Sequence, residues 1–155
     1  MEHNGDSKWR LEQLLRKQKS KQKISYTKLF EECIEALGEG TIIMSEESSE
    51  TIRNVLVQTI PFTSWGRIDW EKIPKWCKIN AVTDALPTLK ALNVDIRTPV
   101  YIIWGGNHPV LQTHMPKIID KVEDVLAVDF DTYIYCPTYY VIEFYHEGEF
   151  TVGLT

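Results

Sequence analysis

Four histidines and a C-terminal run of carboxylates are the side chains of this sequence whose chemistry could be catalytic. The histidines are His3, His108, His114 and His146; the carboxylates are Asp131, Glu143, Glu147 and Glu149. A histidine beside a carboxylate is the commonest general acid–base pair, so a small hydrolase using His108 or His146 with a carboxylate is the enzymatic reading. The spacing does not single it out. Glu143 and His146 are three residues apart, and on one strand they point to opposite faces. His108 and His114 are six apart with Pro109 between them, which does not stack them on one helix face. There is no HExxH zinc motif and no GxSxG elbow, and neither GxGxxG nor a Walker lysine follows Gly105-Gly106. No catalytic residue, cofactor or metal ligand is assigned.

The three cysteines, Cys33, Cys77 and Cys136, are odd in number, widely spaced and free of any CxxC pair. They predict reduced, structural thiols in a cytoplasmic protein rather than a disulfide frame or a zinc site. No apolar run approaches the roughly 20 residues a membrane helix needs, and the N-terminal stretch is polar and basic, unlike a secretory signal. With 43% hydrophobic and 25% charged residues in 155, one soluble domain with a real core is expected.

The net charge of −5 conceals two parts. Residues 1–25 hold seven of the 17 Lys/Arg and three of the 22 Asp/Glu, about +4; residues 26–155 are left at about −9. An acidic domain disfavours direct nucleic-acid binding and attracts basic proteins. Residues 1–25 read as a basic N-terminal arm, with Trp9, Leu11, Leu14 and Leu15 as its only apolar face, and residues 26–155 as the α/β domain.

Several elements must position the polar residues. Tyr26–Leu37 has helical periodicity, with Ser25 as a cap and Gly38 as its stop. Thr41–Met44 reads as a short strand, and a second helix starts after Ser45 and ends before Pro61. The stretch 60–80 holds Trp65, Trp70 and Trp76 among prolines and a glycine, and predicts a long irregular connection of the kind that carries function. A helix is expected near 83–92, a buried strand at 99–104, a helix over 110–122 and a strand over 125–130, with room for one crossover. The last residues, 131–155, are β-branched and aromatic with turns at Cys136-Pro137-Thr138 and Glu147-Gly148-Glu149, which predicts three antiparallel strands. The fold class expected is α+β or mixed α/β: a single domain with a mainly antiparallel sheet and helices packed on its face. In the strand 139–146, Tyr140, Ile142, Phe144 and His146 form the more apolar face, so Tyr139, Glu143 and Tyr145 are expected to face solvent or a partner.

Three strings occur in order: Pro-Phe-Thr-Ser-Trp-Gly-Arg-Ile-Asp-Trp at 61–70, Pro-Val-Tyr-Ile-Ile-Trp at 99–104, and Val-Ile-Glu-Phe-Tyr-His-Glu-Gly-Glu-Phe-Thr-Val-Gly at 141–153. With them, residues 26–154 resemble the cytoplasmic immunity proteins of contact-dependent growth inhibition and related bacterial polymorphic-toxin systems. The resemblance implies an antitoxin, not an enzyme, that binds the C-terminal domain of a cognate toxin and blocks its active site or substrate access. Many such toxins are nucleases with basic clefts, which an acidic inhibitor suits. Exposure and chemistry, not the resemblance, select the toxin-binding candidates: Trp65, Arg67, Asp69, Trp70 and Glu71 in the long connection, and Glu143, Tyr145, Glu147 and Glu149 near the C-terminus. The oligomeric state is left open.

Overall fold

The computed structural model describes residues 26–155. The basic arm expected over residues 1–25 lies outside the described residues. Helix α1 spans Lys28–Leu37 and buries Phe30, Cys33 and Leu37. Its cap is Thr27 rather than Ser25: the hydroxyl accepts the Phe30 N–H at 3.2 Å. Gly38 stops it at φ 69°, a conformation that a Cβ resists. After strand β1 (Ile42–Ile43), helix α2 (Glu46–Thr59) begins under Ser45, whose hydroxyl accepts the Ser48 N–H at 3.0 Å. Glu46 and Glu47 sit in its first turn, where the helix dipole favours negative charge.

The remaining elements are β2 (Lys75–Ile79), α3 (Ala85–Ala91), β3 (Val100–Trp104), β4 (Leu111–Thr113), α4 (Met115–Asp120), α5 (Val122–Leu126), β5 (Thr132–Cys136), β6 (Tyr140–Tyr145) and β7 (Glu149–Leu154). They build one sheet in the order β1-β4-β3-β5-β6-β7-β2. Every neighbouring pair is antiparallel. The domain is α+β, as the sequence predicts, and the three closing strands lie where the turn residues put them.

Both faces of the sheet are covered. On the first, Ile102, Trp104, Ile134, Ile142 and Val152 meet Phe30, Cys33, Leu89, Met115, Ile118 and Val125 from α1, α3, α4 and α5. Trp104 is sealed inside and donates its indole N–H to Val125 O at 3.0 Å, so its polar atom is satisfied. Burial there pushes the Cys33 thiol up to about 12, with the Asp124 charge adding to it. On the second face, Ile103, Tyr133, Tyr135 and Val141 meet Leu56 of α2, Ile60 at its C-terminal cap, and Ile68, Trp70 and Ile73 of the connection that follows.

Four local expectations are corrected. The helix expected over 110–122 begins as strand β4, because Val110 and Leu111 are drawn into the two cores and Leu111 pairs with both Ile102 and Ile43. The strand expected over 125–130 is the end of α5 and a turn, and the next strand starts at Thr132. No crossover joins these strands, since β3 and β5 are antiparallel neighbours. Finally, the connection 60–80 ends in an edge strand: Lys75–Ile79 pair with Leu154–Phe150. Its lysines had masked it, and charged residues of this kind are common on sheet edges.

The second layer sits close on β7. A Cβ built on Gly153 would lie 2.5 Å from Trp70 Cζ3 and 3.3 Å from Ile73 Cγ2. A Gly153→Ala substitution should therefore push Trp70 off the sheet and cost about 1–3 kcal/mol, as overpacking does. Urea unfolding monitored by tryptophan fluorescence measures this; an unchanged midpoint would mean that the layer is loosely seated.

Candidate functional site

Strand parity works as the sequence predicts, but its consequence differs. Glu143 does lie opposite Ile142 and Phe144, beside Tyr133 on β5 and Thr151 on β7. It does not face solvent. It is 1% exposed, because residues 61–73 lie over it. The face is covered by a segment some 75 residues away in sequence, so a rule that gives the polar face to water fails here.

That segment is a small hairpin. Phe62 and Ile68 form an isolated antiparallel bridge. Thr63 N–H donates to Arg67 O at 2.7 Å and Asp69 N–H to Pro61 O at 2.8 Å. Gly66 turns the chain at φ 91°, a region that glycine enters at little cost. Three donors then converge from the hairpin on the one buried carboxylate. Arg67 Nη2 and Trp70 Nε1 each reach Glu143 Oε1 at 3.0 Å, and Ile68 N–H reaches Oε2 at 2.9 Å. A buried carboxylate is tolerable only with such a full set of donors. Tyr133 adds a fourth tie, donating to Gly66 O at 3.0 Å. Burial first, then the charges of Glu143 and Asp131, push its phenol well above the ordinary range and keep it a donor.

Arg67 is the hinge of the site. Its Nη1 lies 2.8 Å from Glu149 Oε2, and its guanidinium lies 3.9 Å from the centre of the Tyr145 ring, a cation–π contact. Desolvation works against its charge, and the Glu143 and Glu149 pairs more than offset it, so its pKa is raised. Glu149 also takes Lys78 Nζ at 3.3 Å. The Lys78 and Arg67 hydrogen bonds hold its carboxyl below the usual range.

The sequence-selected residues thus separate into two groups. Trp70 and Glu143 are buried, and Arg67 is largely enclosed at 22% exposure: these hold the hairpin from inside. Asp69, Tyr145 and Glu149 are half-buried, Glu71 and Glu147 are exposed, and Trp65 stands 74% exposed at the hairpin tip. No pattern of residue types or spacing signals the backbone donor Ile68 or the Tyr133 tie. Only the pairing register of β5 with β6, which puts Tyr133 opposite Glu143, could have revealed the latter.

Both candidate histidines meet an aspartate. His108 Nε2 lies 3.2 Å from Asp129 Oδ2, and His146 Nδ1 lies 3.0 Å from Asp131 Oδ1. These pairs have visible structural uses. Asp131 also accepts the His146 backbone N–H at 3.1 Å, tying β6 to the start of β5. His108 stacks on Phe30 and accepts Arg53 at its carbonyl. Among the described residues no Ser, Thr or Cys side chain is hydrogen-bonded to either ring, so the nucleophile–base pair of covalent catalysis is not assembled. Among them, too, no group of three or more His, Cys, Asp or Glu could hold a metal ion, and no helix is long and apolar enough to cross a membrane.

The fold and site define an acidic α+β domain in which buried polar contacts hold an aromatic hairpin in one position. The chain belongs to the CdiI immunity protein family, since the model of that family described as EcoliA0-like matches residues 27–153. It is an immunity protein of the contact-dependent growth inhibition type. No curated protein matches it.

Two outcomes follow from the geometry. Glu143→Ala leaves Arg67 Nη2 and two buried N–H groups without their acceptor, and should cost about 3–5 kcal/mol in urea unfolding, while Glu147→Ala stays within about 0.5 kcal/mol. A loss below 1 kcal/mol for Glu143→Ala would contradict the assigned role. For Glu149 the folded carboxyl is the more acidic one, so its pairs stabilise the fold fully above the unfolded pKa of about 4.3. That contribution fades as pH falls through the lower folded value. The stability difference between wild type and Glu149→Gln should shrink between pH 6 and pH 3; a constant difference would refute it.

Proposed function

We propose that this protein neutralises a cognate toxin domain, a nuclease, by binding it one to one and occluding its active site or substrate path. The single observation that carries the reading is Trp65, a large ring 74% exposed at the tip of a hairpin whose base is fixed by a buried ion pair. Exposed aromatics held rigidly are the usual anchors of protein interfaces, and a surface ordered in advance loses less entropy on binding. Glu71 and Glu147 are exposed, and Asp69, Tyr145 and Glu149 are half-buried within reach of a partner. Together with Trp65 they form the proposed contact set, supported from beneath by Arg67, Trp70 and Glu143.

Charge supports a basic partner. Residues 26–155 hold 19 Asp/Glu against ten Lys/Arg. A cleft shaped for phosphates is basic, and carboxylates can occupy it; opposite charge also raises the encounter rate. The same charge opposes direct nucleic-acid binding. Action in the cytoplasm, where such a nuclease would find its substrate, completes the reading. The hydrolase alternative retains its His–Asp pairs, but they have structural uses and no hydrogen-bonded nucleophile.

Co-expression with the toxin domain encoded by the adjoining reading frame tests the function: growth should be restored and a stable complex recovered. In calorimetry against that domain, Trp65→Ala should raise Kd by about 30-fold or more, a hot-spot loss. An unchanged Kd would place the interface elsewhere, and failure of the wild type to bind or protect would overturn the immunity reading for this pair.

A further inference from the structure

Behind Tyr145 the molecule opens into a cleft of about 610 Å³, between the end of α5 and the β6–β7 turn. Its lining includes Leu29, Val128, Phe144, His146 and Phe150. Phe130 stands at its mouth with its ring 81% exposed, more than any other large apolar side chain among the described residues. No Lys or Arg lines it, whereas Asp129 does. Asp131, paired with His146 of the lining, and exposed Glu147, between His146 and Gly148 in the turn, add negative charge next to it. An apolar floor beneath carboxylates fits a Lys or Arg: the stem lies on the rings and the charge reaches the rim.

The cleft is continuous with the Trp65 hairpin. Arg67 stacks on Tyr145 at 3.9 Å; Tyr145 and His146 ring centres are 4.2 Å apart; His146 and Phe130 are 6.2 Å apart, edge to face. The row runs from one face of the sheet to the other around the end of β6. An exposed phenylalanine joined to the apolar lining of a cleft makes a contiguous apolar patch, which marks an interaction surface.

We infer that the toxin-binding surface extends around this end of the sheet, and that the cleft beside Phe130 receives a Lys or Arg side chain of the toxin domain. The inference rests on the immunity reading and adds the second contact point and its chemistry. Placement on both sides of Tyr145 makes Arg67 the support of one contact and Tyr145 the wall of the other, so the ion pair that fixes the hairpin also sets the spacing between the two anchors.

The test uses the full chain and the toxin domain from the adjoining reading frame as the probe. Phe130→Ala should raise Kd at least tenfold with an unchanged thermal midpoint, because the ring lies outside both cores. Val57→Ala, an exposed apolar change on α2, should leave Kd within twofold. Each Lys and Arg of the toxin domain is then changed to Ala and measured against both wild type and Phe130→Ala in a double-mutant cycle. One basic residue should lose most of its effect when Phe130 is absent. If Phe130→Ala binds as wild type does, or if no basic residue couples to it, the inference fails while the immunity reading stands. If wild type does not bind the toxin domain, the immunity reading itself fails.

Discussion

One carboxylate inside the second layer, Glu143, receives three donors from a segment that has almost no regular structure of its own. The placement of residues 61–73 on that face of the sheet depends on it. Ordering the backbone of each residue in such a segment costs about 1–2 kcal/mol, and residues 61–69 offer only a single bridge between their own strands. Burial of Ile68, Trp70 and Ile73 supplies the attraction. The carboxylate supplies direction, because apolar contact alone would accept several orientations of the hairpin, whereas the Arg67, Ile68 and Trp70 donors fit only one. A buried ion pair adds little to stability beyond what apolar residues could give. Its value here is positional, and a surface that must match a partner needs position.

The same interaction joins the two halves of the proposed interface. Arg67 reaches inward to Glu143 and sideways to Glu149 and the Tyr145 ring. Tyr145 then stands against His146, which Asp131 holds in place. An internal cation therefore organises an otherwise acidic surface without neutralising it, leaving Glu71 and Glu147 free of any role in holding the hairpin. Such an exterior suits a basic protein cleft.

Local signals in the sequence were reliable where local forces decide. The helix over Lys28–Leu37 is set by apolar spacing and the Gly38 stop, the helix after Ser45 by its cap, and the closing meander by its turn residues and β-branched runs. Strands β2 and β4 were hidden for a different reason. Lys75–Ile79 carries lysines because it is an edge, and Leu111–Thr113 is three residues long and takes its identity from its neighbours β1 and β3. The alternation of β6 holds, yet the face bearing Glu143, which alternation alone gives to solvent, is covered. A carboxylate between tyrosines looks exposed unless its partners are known, and Arg67 is 76 residues away. Phe130 likewise reads as the end of a strand in the sequence and stands at the rim of a cleft in the structure. In each case the missing information was tertiary. The three family-like strings did carry it indirectly, since 61–70 and 141–153 contain the two sides of the Glu143 contact.

A preformed binding surface requires the hairpin to be fixed in the free protein. Native-state amide hydrogen exchange at Ile68 tests this most directly, because that N–H donates to Glu143. Exchange should be as slow as at Ile134 in the centre of the sheet, so that the hairpin opens only with the domain. Exchange at the rate of an open surface loop would show that the carboxylate does not hold the hairpin, and would contradict the account.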